Sequence, residues 1–284
     1  MALVPMTYLL QKAGQGGYAL GAFNCNNMEI VQSIVTAAEA ENSPVIIQAS
    51  QGAIKYAGLN YIIALGRQAA EGTAVPVVLH LDHGTSFEQV MHCIRFGFSS
   101  VMYDGSKLPL EENIAQTRKV VEIARVFGVS VEAELGRIGG TEDDISVSNA
   151  EALFTDPAEA EQFVSQTDVD ALAVAIGTAH GQYKGDPKLD FERLAEISRR
   201  ITCPVVLHGS FGVSDESIRK AIELGVRKIN IDTNVRQAFV GAMRSALEKD
   251  SSEIDPRKVL SPAREAAVEV ISEKIRLFGS SGKV

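Results

Sequence analysis

Four of the five histidines, His80, His83, His180 and His208, stand where short apolar runs end. Three neutral imidazoles around one ion, with a fourth position left open, form a catalytic zinc site. His83, His180 and His208 are the candidates for it. A single histidine at a strand end is more often a hydrogen-bonded core residue than a ligand, but three at one barrel mouth are less easily dismissed. His80 alternates away from His83 and reads as a packing residue, and His92 reads as structural. Asp104 and Glu134 add carboxylates that either orient the imidazoles or hold a second cation. Asp82, next to His83, suits a general acid or base where a turning strand end presents both neighbours to one side. Otherwise it caps a turn. Glu142, in the acidic run Glu142-Asp143-Asp144, is either a second acid/base or a solvated loop carboxylate.

The glycines suggest an anion. Gly181 to Gly185 encloses Lys184, Gly209 to Gly212 precedes a helical pattern, and Asn230 to Asn234 precedes another. Backbone N–H groups at a helix start bind phosphate readily. The competing reading makes Ser214, Asp232 and Thr233 simple helix caps. The run Gly14-Gln15-Gly16-Gly17-Tyr18-Ala19 nominally fits a dinucleotide fingerprint. It precedes a strand instead of following one and is rejected.

Eight apolar runs must position these groups: Tyr18–Phe23, Pro44–Gln48, Val75–His80, Ser100–Tyr103, Val129–Glu134, Ala171–Ile176, Pro204–His208 and Lys228–Ile231. They show little polar alternation, as do parallel strands buried on both faces. Helical spacing fills the gaps at Met28–Glu41, Ser86–Phe96, Leu110–Phe127, Pro157–Gln166, Phe191–Arg200, Ser214–Leu224 and Asn234–Lys249. Thr85-Ser86 and Ser214 mark helix starts, and Gly97, Gly128 and Gly225 mark stops. An unbroken series of this kind predicts one α/β domain over residues 1–284, a closed (β/α)8 barrel. An open doubly wound sheet is the alternative. Catalytic groups of such a barrel lie at the C-terminal strand ends, where these candidates fall. Leu135–Asp156 reads as a long polar lid loop. Ala263–Phe278 reads as an additional C-terminal helix, for packing, oligomerisation or function.

The chain has 284 residues, 45% of them hydrophobic, and a net charge of −9. That is globular composition, and the acidic balance argues against general nucleic-acid binding. Three dispersed cysteines without a C-x-x-C pair suit a reducing compartment. No signal peptide or membrane-length apolar run is evident, so a cytoplasmic protein with no membrane partner is expected.

Read together, the motifs resemble the class II, metal-dependent fructose-bisphosphate aldolases and their tagatose-bisphosphate relatives over almost the whole chain. The resemblance rests on Gly21-Ala22-Phe23-Asn24, His80-Leu81-Asp82-His83-Gly84, Val101 to Ser106, Val131 to Gly136, Gly139 to Asp143, Gly177 to Gly185, Asn230-Ile231-Asp232-Thr233 and Asp255-Pro256-Arg257. It implies a (β/α)8 barrel that reversibly cleaves a ketose 1,6-bisphosphate to dihydroxyacetone phosphate and glyceraldehyde 3-phosphate. By resemblance His83, His180 and His208 bind Zn2+, Asp82 exchanges a proton with the C4 oxygen, and Glu142 exchanges one at C3. Asp104 and Glu134 match an alternative metal location or the groups behind the ligands. Gly181, Lys184, Gly209, Asn230, Asp232 and Thr233 match the substrate and 1-phosphate region, with a monovalent cation (Na+ or K+) near Gly181 and Gly209. Asn24 and Ser50 match substrate contacts, and Arg257 the residue that reaches the 6-phosphate. A homodimer or homotetramer is implied.

One departure stands out. The family's usual His-Gly-Gly-Ser-Gly is here His208-Gly209-Ser210-Phe211-Gly212. Phe211 replaces the hydroxyl that meets the 1-phosphate. Either Ser210 substitutes, or backbone N–H groups hold the phosphate alone. Asn230-Ile231-Asp232-Thr233 with Lys184 resembles the fructose branch more than the tagatose branch. Two further alternatives remain: a Schiff-base aldolase using Lys184 or Lys228, and a binding protein that has lost catalysis.

Overall fold

The computed structural model describes residues 2–142, 145–148, 153–181 and 187–284. Eight parallel strands close into a barrel: β1 Leu20–Asn24, β2 Val45–Ser50, β3 Val77–Gly84, β4 Ser100–Tyr103, β5 Ser130–Leu135, β6 Ala171–Val174, β7 Val205–Leu207 and β8 Val226–Ile231. Each pairs with its neighbour in sequence, and β8 closes on β1. The expected barrel is therefore the observed fold, and the open sheet is not. Strand residues are buried almost throughout, which is why the runs carry so little polar alternation.

The helices start and stop where their caps dictate. Ser86 accepts from Gln89 N–H and Ser214 from Ser217 N–H. Gly97, Gly128 and Gly225 all have positive φ, as helix-ending glycines require. One large apolar core lies between the outer barrel face and these helices. A second fills the lower barrel. There Leu20, Ala22, Ile46, Val78, Ala171, Ala173 and Val206 meet Met6, Leu9, Leu10 and Ala13 of a helix at Met6–Gly16.

Among the described residues, that plugging helix is one of three helices absent from the sequence-based outline; the others are Gln51–Ala57 and Leu59–Glu71. The C-terminal helix begins at Pro256, earlier than the expected Ala263, because Asp255 caps it. It packs along the helices at Met28–Ala40 and Thr233–Lys249, which supports the packing reading. The expected polar loop after β5 carries regular structure among its described residues. It contains a hairpin, Gly139–Glu142 against Ile145–Val147, whose first strand also pairs with Ala179–His180.

Burial pushes the thiols of Cys25, Cys93 and Cys203 up to about 12, and all three are free. No helix among the described residues is long and apolar enough to cross a membrane.

Candidate active site and metal centre

Inward-facing residues two apart on a strand line the barrel in layers. Low in the barrel they are apolar, and towards the C-terminal mouth they become Asn24, Gln48, Ser50, Asp82, Glu132, Glu134, His208, Lys228 and Asn230, all buried. Strand register sets Asn24 beside Gln48, and Ser50 beside Asp82.

Asp82 and His83 are chain neighbours, yet both belong to the site. The β3–β4 register shifts between Leu81 and Gly84, and His83 takes the left-handed backbone conformation at φ 48°. Such a conformation is costly for a non-glycine residue and persists only where the surroundings hold it. Gln51, at the start of the helix after β2, helps do so. Its side-chain amide donates to the His83 carbonyl and, at 2.9 Å, to Thr85 Oγ1.

Asp82 sits in a cradle of amides. Asn24 Nδ2 and Gln48 Nε2 donate to its Oδ2 at 2.9 and 3.2 Å, and Asn230 Nδ2 donates to Oδ1 at 3.2 Å. Gln48 also donates to Asn24 Oδ1 at 2.6 Å, which fixes the Asn24 amide so that its nitrogen faces Asp82.

The three expected imidazoles converge. Ring centroids of His83, His180 and His208 lie 4.8–5.8 Å apart. One ligand atom from each falls within 4.8 Å of the others, and His83, Asp104 and Glu134 form a second such group. His83 Nδ1 meets Asp104 Oδ2 at 2.9 Å, while Ser106 donates to Asp104 Oδ1 through both its amide and its hydroxyl. His208 Nε2 meets Glu132 Oε1 at 2.9 Å. A carboxylate only accepts, so the proton sits on Nε2 and the Nδ1 lone pair faces His83 Nε2, 3.1 Å away.

Burial disfavours a charged His83, but Asp82, Asp104 and Glu134 together outweigh it and hold the imidazole well above its ordinary range. Burial, then His83 and Lys228, keep His208 well below it. Burial and the Asp104 charge push Glu134 well above the usual carboxylate range. Asp104 goes the other way: burial works against its charge, but His83 and Ser106 hydrogen bonds hold it well below. Glu134 Oε2 is buried with no hydrogen-bond partner. An orphaned carboxylate oxygen next to converging imidazoles is a donor set that fits a divalent cation.

Other expected residues fall where the strand ends place them. His180, Gly181, Gly209, Ser210, Phe211, Asn230, Asp232 and Thr233 line one small pocket beside the histidines. Gly209 is obligatory there: φ is 62°, and a Cβ would lie 2.4 Å from the Ala179 carbonyl oxygen. Ser210 gives its hydroxyl proton to the Asn230 carbonyl at 2.7 Å. As placed, it therefore does not take over the donor role that Phe211 displaces. Asp232 pairs with Arg236 at 2.6 Å and, despite its position, makes no side-chain cap. Ser50 caps the helix that follows it through Ala53 N–H. The Arg257 side chain is 87% exposed and pairs with Asp255. The hairpin strand ends at Glu142, whose side chain lies outside the described residues, as does all of Lys184.

His80 packs as expected, with Nδ1 against Ser100 Oγ at 2.7 Å, while His92 is exposed on its helix. From the sequence, Gln48, Gln51 and Glu132 have no role in this site, and Lys228 enters only as an alternative Schiff-base nucleophile. Their signal was period-two spacing, with Gln48 two before Ser50, Glu132 two before Glu134, and Lys228 two before Asn230. Lys228 is fully buried and paired with Glu132 at 2.9 Å.

Comparison with known proteins agrees with this geometry. A family model described as fructose-bisphosphate aldolase class-II matches residues 4–283. The chain is 46% identical to the fructose-bisphosphate aldolase of Thermus caldophilus, over 99% of each chain. It is also 46% identical to the probable fructose-bisphosphate aldolase of Bacillus subtilis, over the full length of both. Among solved structures, the YdjI aldolase of Escherichia coli K12 superposes with a TM-score of 0.87 at 35% identity, covering 99% of each chain. A putative fructose-1,6-bisphosphate aldolase of Coccidioides immitis gives 0.89 at 33% identity, over 98% of this chain and 97% of that one. Membership implies a divalent metal, which the two ligand groups at the mouth can accept, and the chain belongs to the class II fructose-bisphosphate aldolase family.

Proposed function

We propose that this chain, as a single barrel domain over residues 1–284, reversibly cleaves fructose 1,6-bisphosphate to dihydroxyacetone phosphate and glyceraldehyde 3-phosphate. The observation that carries the reading is the convergence of His83, His180 and His208 beside the amide-cradled Asp82 at the barrel mouth. The proposed setting is cytoplasmic carbohydrate metabolism, glycolysis and gluconeogenesis, in a homodimer or homotetramer.

His83, His180 and His208 would hold zinc, with Asp104 and Glu134 behind His83 or as an alternative seat. Zinc held there would supply a Lewis acid for the enolate charge that breaking the C3–C4 bond leaves on the C2 oxygen. Asp82 takes the proton from the C4 hydroxyl in cleavage and returns it in condensation. Its three amide donors fix the plane of the carboxylate without supplying a competing acid. Glu142 exchanges the proton at C3 of dihydroxyacetone phosphate. Its strand is sewn to Ala179–His180, so hairpin position and imidazole position are linked. Gly181, Lys184, Gly209, Ser210, Asn230, Asp232 and Thr233 receive the 1-phosphate end, with Na+ or K+ at the Gly181 and Gly209 backbone. Asn24 and Ser50 contact the sugar, and Arg257 reads the 6-phosphate.

The decisive experiment is cleavage of fructose 1,6-bisphosphate in a triose-phosphate-coupled assay on chelated and zinc-restored protein. Activity should vanish and return, and His180→Ala should lower it by at least about two decades even with zinc in excess. Activity that survives complete metal removal, together with borohydride trapping of a lysine, would instead support a Schiff base. Tagatose 1,6-bisphosphate run in parallel decides the sugar.

A further inference from the structure

Lys228 is among the largest fully buried side chains of the molecule, and the proton transfers described above make no direct use of it. Its ammonium has two polar partners. Nζ lies 2.9 Å from Glu132 Oε2 and donates to Asn230 Oδ1 at 2.7 Å. Each partner continues to a functional group. Glu132 uses its other oxygen, Oε1, to accept from His208 Nε2 at 2.9 Å. Asn230 uses its Nδ2 to donate to Asp82 Oδ1 at 3.2 Å.

We infer that Lys228 is a positioning residue that orients the metal-ligand histidine and the proton-transfer carboxylate together. The reason is donor–acceptor arithmetic. An ammonium has three donors and no acceptor. Facing Asn230, it compels the amide oxygen to turn towards it and the amide nitrogen towards Asp82. Facing Glu132, it engages one carboxylate oxygen and leaves the other for His208. That contact places the His208 proton on Nε2 and turns Nδ1 to the mouth. Asp82, Asn230, Lys228, Glu132 and His208 thus form one continuous buried chain across β3, β8, β5 and the end of β7. A neutral residue of the same length at 228 would fill the space but leave both the Asn230 amide and the Glu132 carboxylate free to turn. Groups behind metal-bound histidines commonly change metal affinity in this way.

This inference rests on the reading that His208 holds the metal and Asp82 moves the proton, and its test separates the two. Zinc affinity of Lys228→Met is measured by chelator competition, alongside kcat and KM for fructose 1,6-bisphosphate. The expected result is a cooperatively folded variant whose zinc affinity falls roughly tenfold to a hundredfold. Its kcat should fall by a similar factor, with KM changed less. A folded variant with zinc affinity and kcat both within about threefold of the wild type would overturn the inference while leaving the aldolase reading intact. Wild-type protein that binds no zinc would remove both. A fold-independent measurement uses 15N-histidine NMR of the metal-free wild type, assigning His208 by the resonance lost in His208→Asn. The Nε2–H tautomer is expected, and Nδ1–H overturns the inference even where Lys228→Met does not fold.

Discussion

Asp82 and His83 show how much one backbone angle can do. In a regular strand they would face opposite sides of the sheet. The register shift and the φ of 48° at His83 bring both to the mouth. The residue types were legible in the sequence, as was the need for a turn. What supports the turn was not, because Gln51 reaches His83 from another element. At Phe211 the departure was equally legible, and its consequence comes from a hydrogen bond. With the Ser210 hydroxyl donated to Asn230, one donor is missing from the pocket. A hydrogen bond to a charged group is worth about 1.5–3 kcal/mol, or roughly one to two decades in binding. Phe211→Ser should therefore lower KM for fructose 1,6-bisphosphate by about tenfold or more, read from steady-state kinetics. An unchanged KM would mean that backbone N–H groups already satisfy the phosphate.

At the scale of elements, the hairpin after β5 is the least regular part of the outline. Its glycines and acidic run read as a polar loop, yet Gly139 and Gly140 pair with Ala179 and His180. Gly140 has φ 98°, and a Cβ there would sit 2.2 Å from the His180 carbonyl oxygen. Gly140→Ala must therefore displace the hairpin from His180. The expected outcome is a kcat loss of roughly tenfold or more, with a stability cost of about 1–3 kcal/mol from the strained backbone. Kinetics and thermal melting separate the two effects. The helix at Met6–Gly16 teaches a different lesson. Its buried residues Met6, Leu9, Leu10 and Ala13 follow i, i+3, i+4, i+7 spacing, so the helical signal was present. The glycines at its end, Gly14, Gly16 and Gly17, drew attention to a dinucleotide fingerprint instead.

Across the whole molecule the barrel is graded, apolar at its base and charged at its mouth. The base is a packed core closed by the first helix, so its integrity is a condition for the register that aligns the mouth. Leu10→Ala, at a side chain 1% exposed, should cost about 2–5 kcal/mol in denaturant unfolding. Because the lesion lies at the opposite end of the barrel from the chemistry, kcat of the still-folded fraction should change little. A large kcat loss without destabilisation would contradict this separation.

Period and spacing by themselves determined the eight strands, most of the helices and the candidate histidines, and favoured a closed barrel over an open sheet. These are local properties: buried parallel strands need continuous apolar runs, and strand ends project their side chains at the mouth whatever the distant packing. Tertiary structure decided which polar groups touch. Gln48 and Asn230 reach Asp82 from different strands, and Glu132 and Lys228 meet only when the barrel closes. It also left Arg257 exposed and paired with Asp255. Hydrogen-bond partners far apart in sequence leave no periodic trace. Their pairing depends on barrel register and on which donor faces which acceptor, and both exist only in the folded chain.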